Sequence, residues 1–589
     1  MDEQGMEIFR GIPVFPGLVM GPALLVDPFD LPVSRTRISA QAVEGEILRF
    51  EEAVERLSKE IAEDERAARD RFGSDISMIF QAQRSMVEDR KLHQSVSSLI
   101  RDDLISAEAA TRRSLQEYIR FFRSLRNSPF ADRAADLIDI ERRLLGQLNK
   151  EAVVEATSPT ESTIVLARDL TPSQTAALDP KRVLGFGTAT GGRTSHTAIL
   201  AGAMELPAVV GLGDFLTGVQ NGDIVILDAT EGCLIIRPDP QTVEKYRRAQ
   251  SQQLRLEAEL LSDLTLPSVT VDGEEIEVNA NIEFPHEAKH ALDMGAAGIG
   301  LYRTEFLYLN CSQQPTEEEH FQAYKSVLET MGTERPVTVR TLDLGADKVF
   351  DRPQVAEENN PVLGLRSIRL SLREVGLFKR QLRALLRASV YGNLRIMFPL
   401  VTTVMELRRC KLILADVMED LQEEGIPFRR DVPIGMMVEV PSAALLAKQF
   451  AKLVDFFSIG TNDLIQYTLA ADRTNENLAT LYSASDPAVL KLVEEVIKAA
   501  RHQKIDLSIC GEMSGDPIYT PLLFGIGLRQ LSVTPHKIPE IKRVVRSLTQ
   551  AEAQKIVGRV RRLDNSRDIT SLLRERYRKA SPEHAHDLE

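Results

Sequence analysis

The sequence predicts an α/β protein in which a small α/β domain, interrupted by an inserted helical bundle, is joined through a helical linker to a (β/α)8 barrel. Three observations predict it. Apolar residues recur at helical spacing over most of residues 38–148. Beyond Pro267, short apolar strands alternate with polar turns and helical segments. Between these regions, Glu244 to Leu261 is rich in Gln, Glu, Arg and Leu and holds no Gly or Pro, as a semi-rigid connector requires. At 589 residues the chain is too long for one core, and roughly 150 residues per domain suggests three or four.

In chain order, Gly11 to Val26 mixes Pro and Gly punctuation with β-branched and aliphatic runs, predicting two strands. From Ile38 to Phe72, Ile47, Phe50, Val54, Leu57 and Ile61 are spaced by three and four among charged residues, predicting a long amphipathic helix. Ile76 to Val87, Ala107 to Leu125 and Ala131 to Leu148 repeat the pattern, and the four make a bundle. Strands return at Thr163 to Ala167, Val183 to Phe186, Pro207 to Val210 and Ile224 to Leu227. The early strands fit the same sheet, which makes the bundle an insertion. The expected boundaries are 1–30 and 151–240 for the α/β domain, 31–150 for the bundle, 241–265 for the linker, 266–550 for the barrel and 551–589 for a C-terminal helix and polar tail.

In the barrel region, strands are predicted at Ile276 to Asn281, Ile299 to Arg303, Val337 to Leu342, Arg395 to Phe398, Met436 to Val440, Phe456 to Ile459 and Leu507 to Ile509. The remaining strand is placed near Val362 to Arg366, fourth in order.

Composition excludes several functions. A net charge of -14 argues against general affinity for nucleic acid or anionic membrane. The four cysteines, Cys233, Cys311, Cys410 and Cys510, lie far apart without CxxC spacing, so neither a zinc site nor a disulfide framework is expected. The first residues are acidic, unlike a signal peptide, and no apolar run approaches the roughly 18 residues of a membrane span. A cytoplasmic location without membrane insertion is expected.

Two places carry chemistry. In Gly191-Gly192-Arg193-Thr194-Ser195-His196-Thr197-Ala198-Ile199-Leu200, two glycines and flanking hydroxyls precede an apolar run, so His196 stands at a helix N-terminus. The exposed amides and helix dipole there would stabilise a phosphate on or beside His196; a Gly-rich turn with a hydrogen-bonded histidine is the plainer alternative. The second place is the C-terminal rim of the barrel, where chemistry sits in such folds. Arg303, Arg340 with Asp343 and Lys348 behind it, Glu439, Asn462-Asp463 and Cys510-Gly511-Glu512 stand at strand ends, with Arg366 and Arg473 on nearby segments. Guanidiniums converging with separated carboxylates suit a phosphate-bearing anion plus a hard cation, for which magnesium is the natural choice. Cys510 is open to two roles, a small buried hydrophobe or a proton donor to a substrate carbon.

The motifs GGRTSHT from Gly191, LYRTEFLY from Leu301, RTLDLGADK from Arg340, GLRSIR from Gly364, MMVEVP from Met436, DFFSIGTNDL from Asp455 and CGEM from Cys510 occur in the order seen in Enzyme I. In all seven the chain resembles that family, the phosphoenolpyruvate-protein phosphotransferases of the bacterial sugar phosphotransferase system. The resemblance implies a swivelling phosphohistidine domain with His196 as phosphoryl acceptor, oriented by the hydroxyl of Thr175. It implies that Arg303, Arg340, Arg473 and Asn462, helped by Arg366 and Lys348, bind phosphoenolpyruvate, that Glu439 and Asp463 hold magnesium, and that Cys510 protonates the enolate to give pyruvate. It further implies a phosphocarrier protein, HPr, docked on the helical insert, and a homodimer formed through the barrel. Four positions depart from the family: Gly202 replaces arginine, Ala346 glycine, Tyr302 leucine and Gln83 histidine. Dikinases and synthases that share the phosphohistidine need an ATP-binding domain, for which the residues before His196 leave too little room and offer no GxxxxGK[ST] loop. A regulatory phosphohistidine protein is the other alternative.

Overall fold

The computed structural model describes residues 6–26, 37–72, 74–124, 133–149, 162–170, 182–192, 201, 204, 206–264, 266–308, 314–345, 360–473, 475, 478 and 481–580. The chain divides into two compact units, Met1–Arg255 and Leu256–Glu589. No helix among the described residues is long and apolar enough to cross a membrane.

In the first unit, strands β1 (Glu7–Arg10), β2 (Ile12–Phe15), β3 (Leu18–Val26), β4 (Thr163–Ala167), β5 (Val183–Thr188), β6 (Ala208–Val210), β7 (Ile224–Asp228) and β8 (Cys233–Ile236) form one sheet. Its order is β1-β8-β7-β3-β4-β5-β6-β2. The centre, β3 to β6, is parallel, and β4 is buried along its whole length, as a strand covered on both faces must be. β3 and β4 are neighbours in register, Ala23 opposite Ile164, although the helical bundle separates them in sequence. The bundle is therefore an insertion into the sheet's connectivity.

Helices Val43–Phe72, Ser74–Val87, Arg90–Asp103, Ala107–Ser124 and Arg133–Asn149 build the bundle. Phe50, Leu57, Ile61, Val96, Ile100, Leu115 and Leu144 fill its core, each burial contributing about 1.5–3 kcal/mol. Helix Arg90–Asp103 is an addition to the four expected. Its side chains Leu92, Val96 and Ile100 are buried at intervals of four, and Asp89 caps it by accepting the Lys91 N–H at 2.8 Å. Gln83, at a departure from the family, is buried, and its Nε2 donates to Asp139 Oδ2 at 3.2 Å and Asp136 Oδ1 at 3.4 Å. The connector is a helix over Pro240–Ser262.

The second unit is a closed parallel barrel. Its strands are β9 (Glu277–Ile282), β10 (Ile299–Tyr302), β11 (Pro336–Arg340), β12 (Asn393–Phe398), β13 (Ile434–Val438), β14 (Phe456–Gly460), β15 (Asp506–Cys510) and β16 (Gln530–Val533). The closing strand is β16, which pairs with β15 and β9. This corrects the expectation of a strand at Val362 to Arg366: Pro361–Leu363 is a single 3-10 turn, and Arg366 makes one isolated bridge with Gly345. Glu439 therefore follows the fifth strand, Asp463 the sixth, and Cys510 ends the seventh. β16 is hard to see in the sequence because Gln530 and Ser532 alternate with its two apolar residues. The Ser532 hydroxyl is buried and donates to Asn281 Oδ1 at 2.6 Å, a polar pair inside the barrel. At the opposite rim from Cys510, Arg395 pairs with Asp506 at 3.1 Å and lies 4.0 Å over the Phe456 ring. Two helices, Gln550–Val560 and Ser566–Ala580, follow the barrel where one was expected.

Candidate functional site

The barrel's parallel register delivers the C-terminal ends of β10, β11, β13, β14 and β15 to one rim. Arg340, the last residue of β11, is mostly buried, its side chain 11% exposed. Its Nη1 pairs with Asp343 Oδ2 at 2.9 Å and its Nη2 with Glu305 Oε1 at 3.0 Å. Arg366 reaches the other oxygen of Asp343 at 3.0 Å, because the Gly345–Arg366 bridge brings its segment alongside. Arg366 also lies 3.9 Å from Asp463. Arg303, one residue beyond β10, forms an ion pair with Glu283.

Three buried carboxylates converge there: ligand atoms of Asp343, Glu439 and Asp463 all lie within 4.8 Å of one another. Glu439 accepts the Leu400 N–H at 2.6 Å, which fixes its direction. Gly460 makes room for it, since a Cβ at that position would stand 2.9 Å from Glu439 Oε2. Burial first, and then the charges of Asp343 and Asp463, push the Glu439 carboxyl up to about 8. The same burial and the charge of Asp343 raise Asp463. Burial would raise Asp343 too, but Arg340 and Arg366 outweigh it and hold that carboxyl below its ordinary range. A cluster in which two carboxylates ionise reluctantly fits a hard divalent cation, which would offset the repulsion. The donor set is all oxygen, as magnesium prefers. Arg340 Nε and Arg366 Nε are buried without a hydrogen-bond partner among the described residues, as suits a site built for a further anion.

Cys510 is 2% exposed and belongs to one apolar cluster inside the barrel with Leu301, Met397, Met437 and Phe456, drawn from the surrounding strands. Ser458 donates to its Sγ, and its thiol donates to the Ile459 carbonyl, each at 3.5 Å. Burial, reinforced by Glu439, pushes the thiol up, so it stays protonated. Gly511 follows in the left-handed region, φ +100°, where a Cβ would stand 2.3 Å from Thr461 Oγ1. This tight turn lets Asn462 Oδ1 accept the Glu512 N–H at 2.9 Å.

The rim thus joins Arg303, Arg340, Arg366, Glu439, Asn462, Asp463 and Cys510 of the expected residues. Arg473 is exposed and makes no ion pair among the described residues, although its charge lowers Asp463. His196, Thr175 and Lys348 lie outside the described residues, as do Gly202 and Ala346. Two members have roles that sequence reasoning missed. Asp343 is the third carboxylate of the cluster, and Glu305 orders it by accepting both Arg340 and the Asp343 N–H, the latter at 3.2 Å. The signal was present, since both lie within three residues of a strand end. Tyr302, another departure, is fully buried with its ring centroid 6.1 Å from that of Tyr324, edge to face.

A barrel with an acidic, arginine-lined rim, following a separate α/β unit with an inserted bundle, defines the class. Three family models match in order: PEP-utilising enzyme N-terminal over residues 10–133, mobile domain over 159–232 and PEP-binding domain over 257–550. The chain is a PEP-utilising enzyme. Among curated proteins, it is 41% identical to the phosphoenolpyruvate-protein phosphotransferase of Bacillus sp. (strain S), over 96% of this chain and 98% of that one. It is 42% identical to that of Geobacillus stearothermophilus over the same shares, and 41% identical to that of Bacillus subtilis (strain 168) over 97% of this chain and 100% of that one. The chain belongs to the phosphoenolpyruvate-protein phosphotransferase family.

Proposed function

We propose that this enzyme moves the phosphoryl group of phosphoenolpyruvate to His196 and then to a histidine of HPr, releasing pyruvate, in the cytoplasm. The observation that carries this reading is the enclosed rim in which Asp343, Glu439 and Asp463 interleave with Arg340 and Arg366.

Arg340 and Arg366, each with a buried Nε that has no hydrogen-bond partner among the described residues, together with Arg303, Asn462, Lys348 and Arg473, take the phosphate and carboxylate of the substrate. Glu439 and Asp463, joined by Asp343, hold magnesium, which when bound offsets the charge that builds as the phosphoryl group leaves. A ring nitrogen of His196, oriented by Thr175, forms the new N–P bond while the enol oxygen–phosphorus bond breaks and its electron pair passes to the enolate. Cys510, kept protonated by burial, gives its proton to the enolate carbon, and pyruvate results. His196 has to meet both the rim and the docked HPr, so transfer requires the phosphohistidine domain, 1–30 with 151–240, to swivel on the linker, 241–265. The bundle, 31–150, receives HPr, and the barrel, 266–550, pairs with a second copy, as in the family the sequence resembles.

Incubation with radiolabelled phosphoenolpyruvate and magnesium tests the reading. Label is expected on the wild-type chain, not on His196→Ala, and is expected to pass to added HPr. An unlabelled wild-type chain, or labelling that needs ATP, overturns it.

A further inference from the structure

Behind the rim, a buried chain of polar groups ties two strand ends together. Gln381, in the helix Val375–Ala388, has no exposed surface. Its Oε1 accepts the Leu342 N–H at 3.0 Å, and its Nε2 donates to Thr304 Oγ1 and to Tyr324 Oη, both at 3.1 Å. A backbone N–H only donates, so the amide's orientation is fixed. Thr304 Oγ1, having accepted from Gln381, donates to the Arg340 carbonyl at 3.0 Å. Tyr324 Oη lies 2.8 Å from His320 Nδ1, and His320 Nε2 lies 3.1 Å from Tyr308 Oη. Having accepted from Gln381, Tyr324 gives its one proton to His320 Nδ1, and His320 donates from Nε2 to Tyr308. The opposite tautomer leaves the Tyr324 hydroxyl hydrogen without an acceptor among the described residues.

The groups this network holds are neighbours of the rim residues. Thr304 stands between Arg303 and Glu305, and Leu342 stands beside Asp343. The Arg340 carbonyl is the acceptor of Thr304. One amide therefore spans the segment after β10 and the segment after β11. These are the segments whose side chains meet as the Glu305–Arg340–Asp343 cluster.

We propose that Gln381, held in place by Tyr324 and His320, is a positioning residue that sets the separation of these two segments, and with it the placement of Asp343 among the carboxylates and of Arg340 toward the substrate. The inference rests on the reading above, in which those groups take the cation and phosphoenolpyruvate. Groups that orient metal ligands from behind commonly govern affinity and rate by about 10–100-fold.

The full-length chain is assayed in three ways: Mn2+ binding to metal-free protein by electron paramagnetic resonance, steady-state kinetics with phosphoenolpyruvate, and thermal unfolding. Gln381→Leu is expected to weaken Mn2+ about 10-fold and lower kcat about 30-fold, with KM for phosphoenolpyruvate changing less than about 3-fold. Thr304→Val removes the same bond from its other end together with the Thr304 bond to the Arg340 carbonyl, so the two effects overlap and the double variant is expected to fall well short of their product. Tyr324→Phe, which leaves the Thr304 and Leu342 bonds intact, is expected to cost about 3-fold in kcat. A folded Gln381→Leu with wild-type Mn2+ affinity and kcat overturns the proposal, as does full multiplication of the Gln381 and Thr304 effects. If Gln381→Leu does not fold, Thr304→Val and Tyr324→Phe carry the same test, and wild-type Mn2+ affinity and kcat in both overturn it. A wild-type chain that binds Mn2+ yet takes no phosphoryl group would overturn the reading of the reaction instead, and the Mn2+ measurements would still decide the role of Gln381.

Discussion

Glu439 shows how the site sets function against stability within one side chain. Buried beside Asp343 and Asp463 and pushed up to about 8, it is a group the metal-free fold would be better without. Glu439→Gln keeps the shape and the bond to Leu400 while removing the capacity to ionise. The expected outcome is a midpoint of thermal unfolding raised by about 2 °C in metal-free protein, together with a fall of roughly 100-fold in phosphotransfer. Scanning calorimetry in chelator and a phosphoenolpyruvate assay check the two halves; equal activity in the variant removes Glu439 from the metal set. Gly460 gives a second residue-scale case. A Cβ there meets Glu439 Oε2 at 2.9 Å and Met437 Cγ at 3.0 Å, so Gly460→Ala must displace the carboxylate. A folded protein with about 10-fold weaker Mg2+ activation is expected.

At the scale of elements, the barrel carries an enclosed histidine, His320, in the helix Glu317–Met331. Burial holds it down to about 4, and Arg380 adds to the effect. Unfolded histidine titrates near 6.5, so between the two values the unfolded chain binds more protons. Its contribution to stability is complete above about pH 6.5 and is lost as pH falls toward 4. Urea titrations at pH 7.5 and pH 5 are expected to show this loss, and His320→Gln is expected to flatten it; an unchanged slope in the variant excludes His320 as a source. The same scale shows what a sequence discloses. Helices with apolar residues three and four apart were legible because periodicity is local, and the rim arginines were legible because strand ends follow from strands. Helix Arg90–Asp103 was hidden because its charged first turn interrupts the apolar pattern. β16 was hidden because Gln530 and Ser532 interrupt its apolar run, and the Ser532 hydroxyl finds its partner in β9. Asp343 could be placed at a strand end but not among its partners, and Gln381 takes its meaning from segments tens of residues away; no local pattern encodes such pairings.

At the scale of the molecule, two compact units predict two unfolding events. Magnesium with phosphoenolpyruvate, added to His196→Ala to prevent turnover, is expected to raise only the barrel's transition. Ligand at 100 times its dissociation constant supplies about 2.7 kcal/mol. Calorimetry that shows both transitions moving together would refute independent units. The sheet of the first unit carries one more consequence, for the protein's synthesis. β1 pairs with β8, Glu7 opposite Ile236, and β3 pairs with β4 across the whole bundle. While the ribosome works, the first three strands emerge with no partners to receive them, and the helical insert is completed in the interval. The nascent chain therefore carries unpaired strand edges through most of the translation of this unit, the period in which chaperones would be needed most.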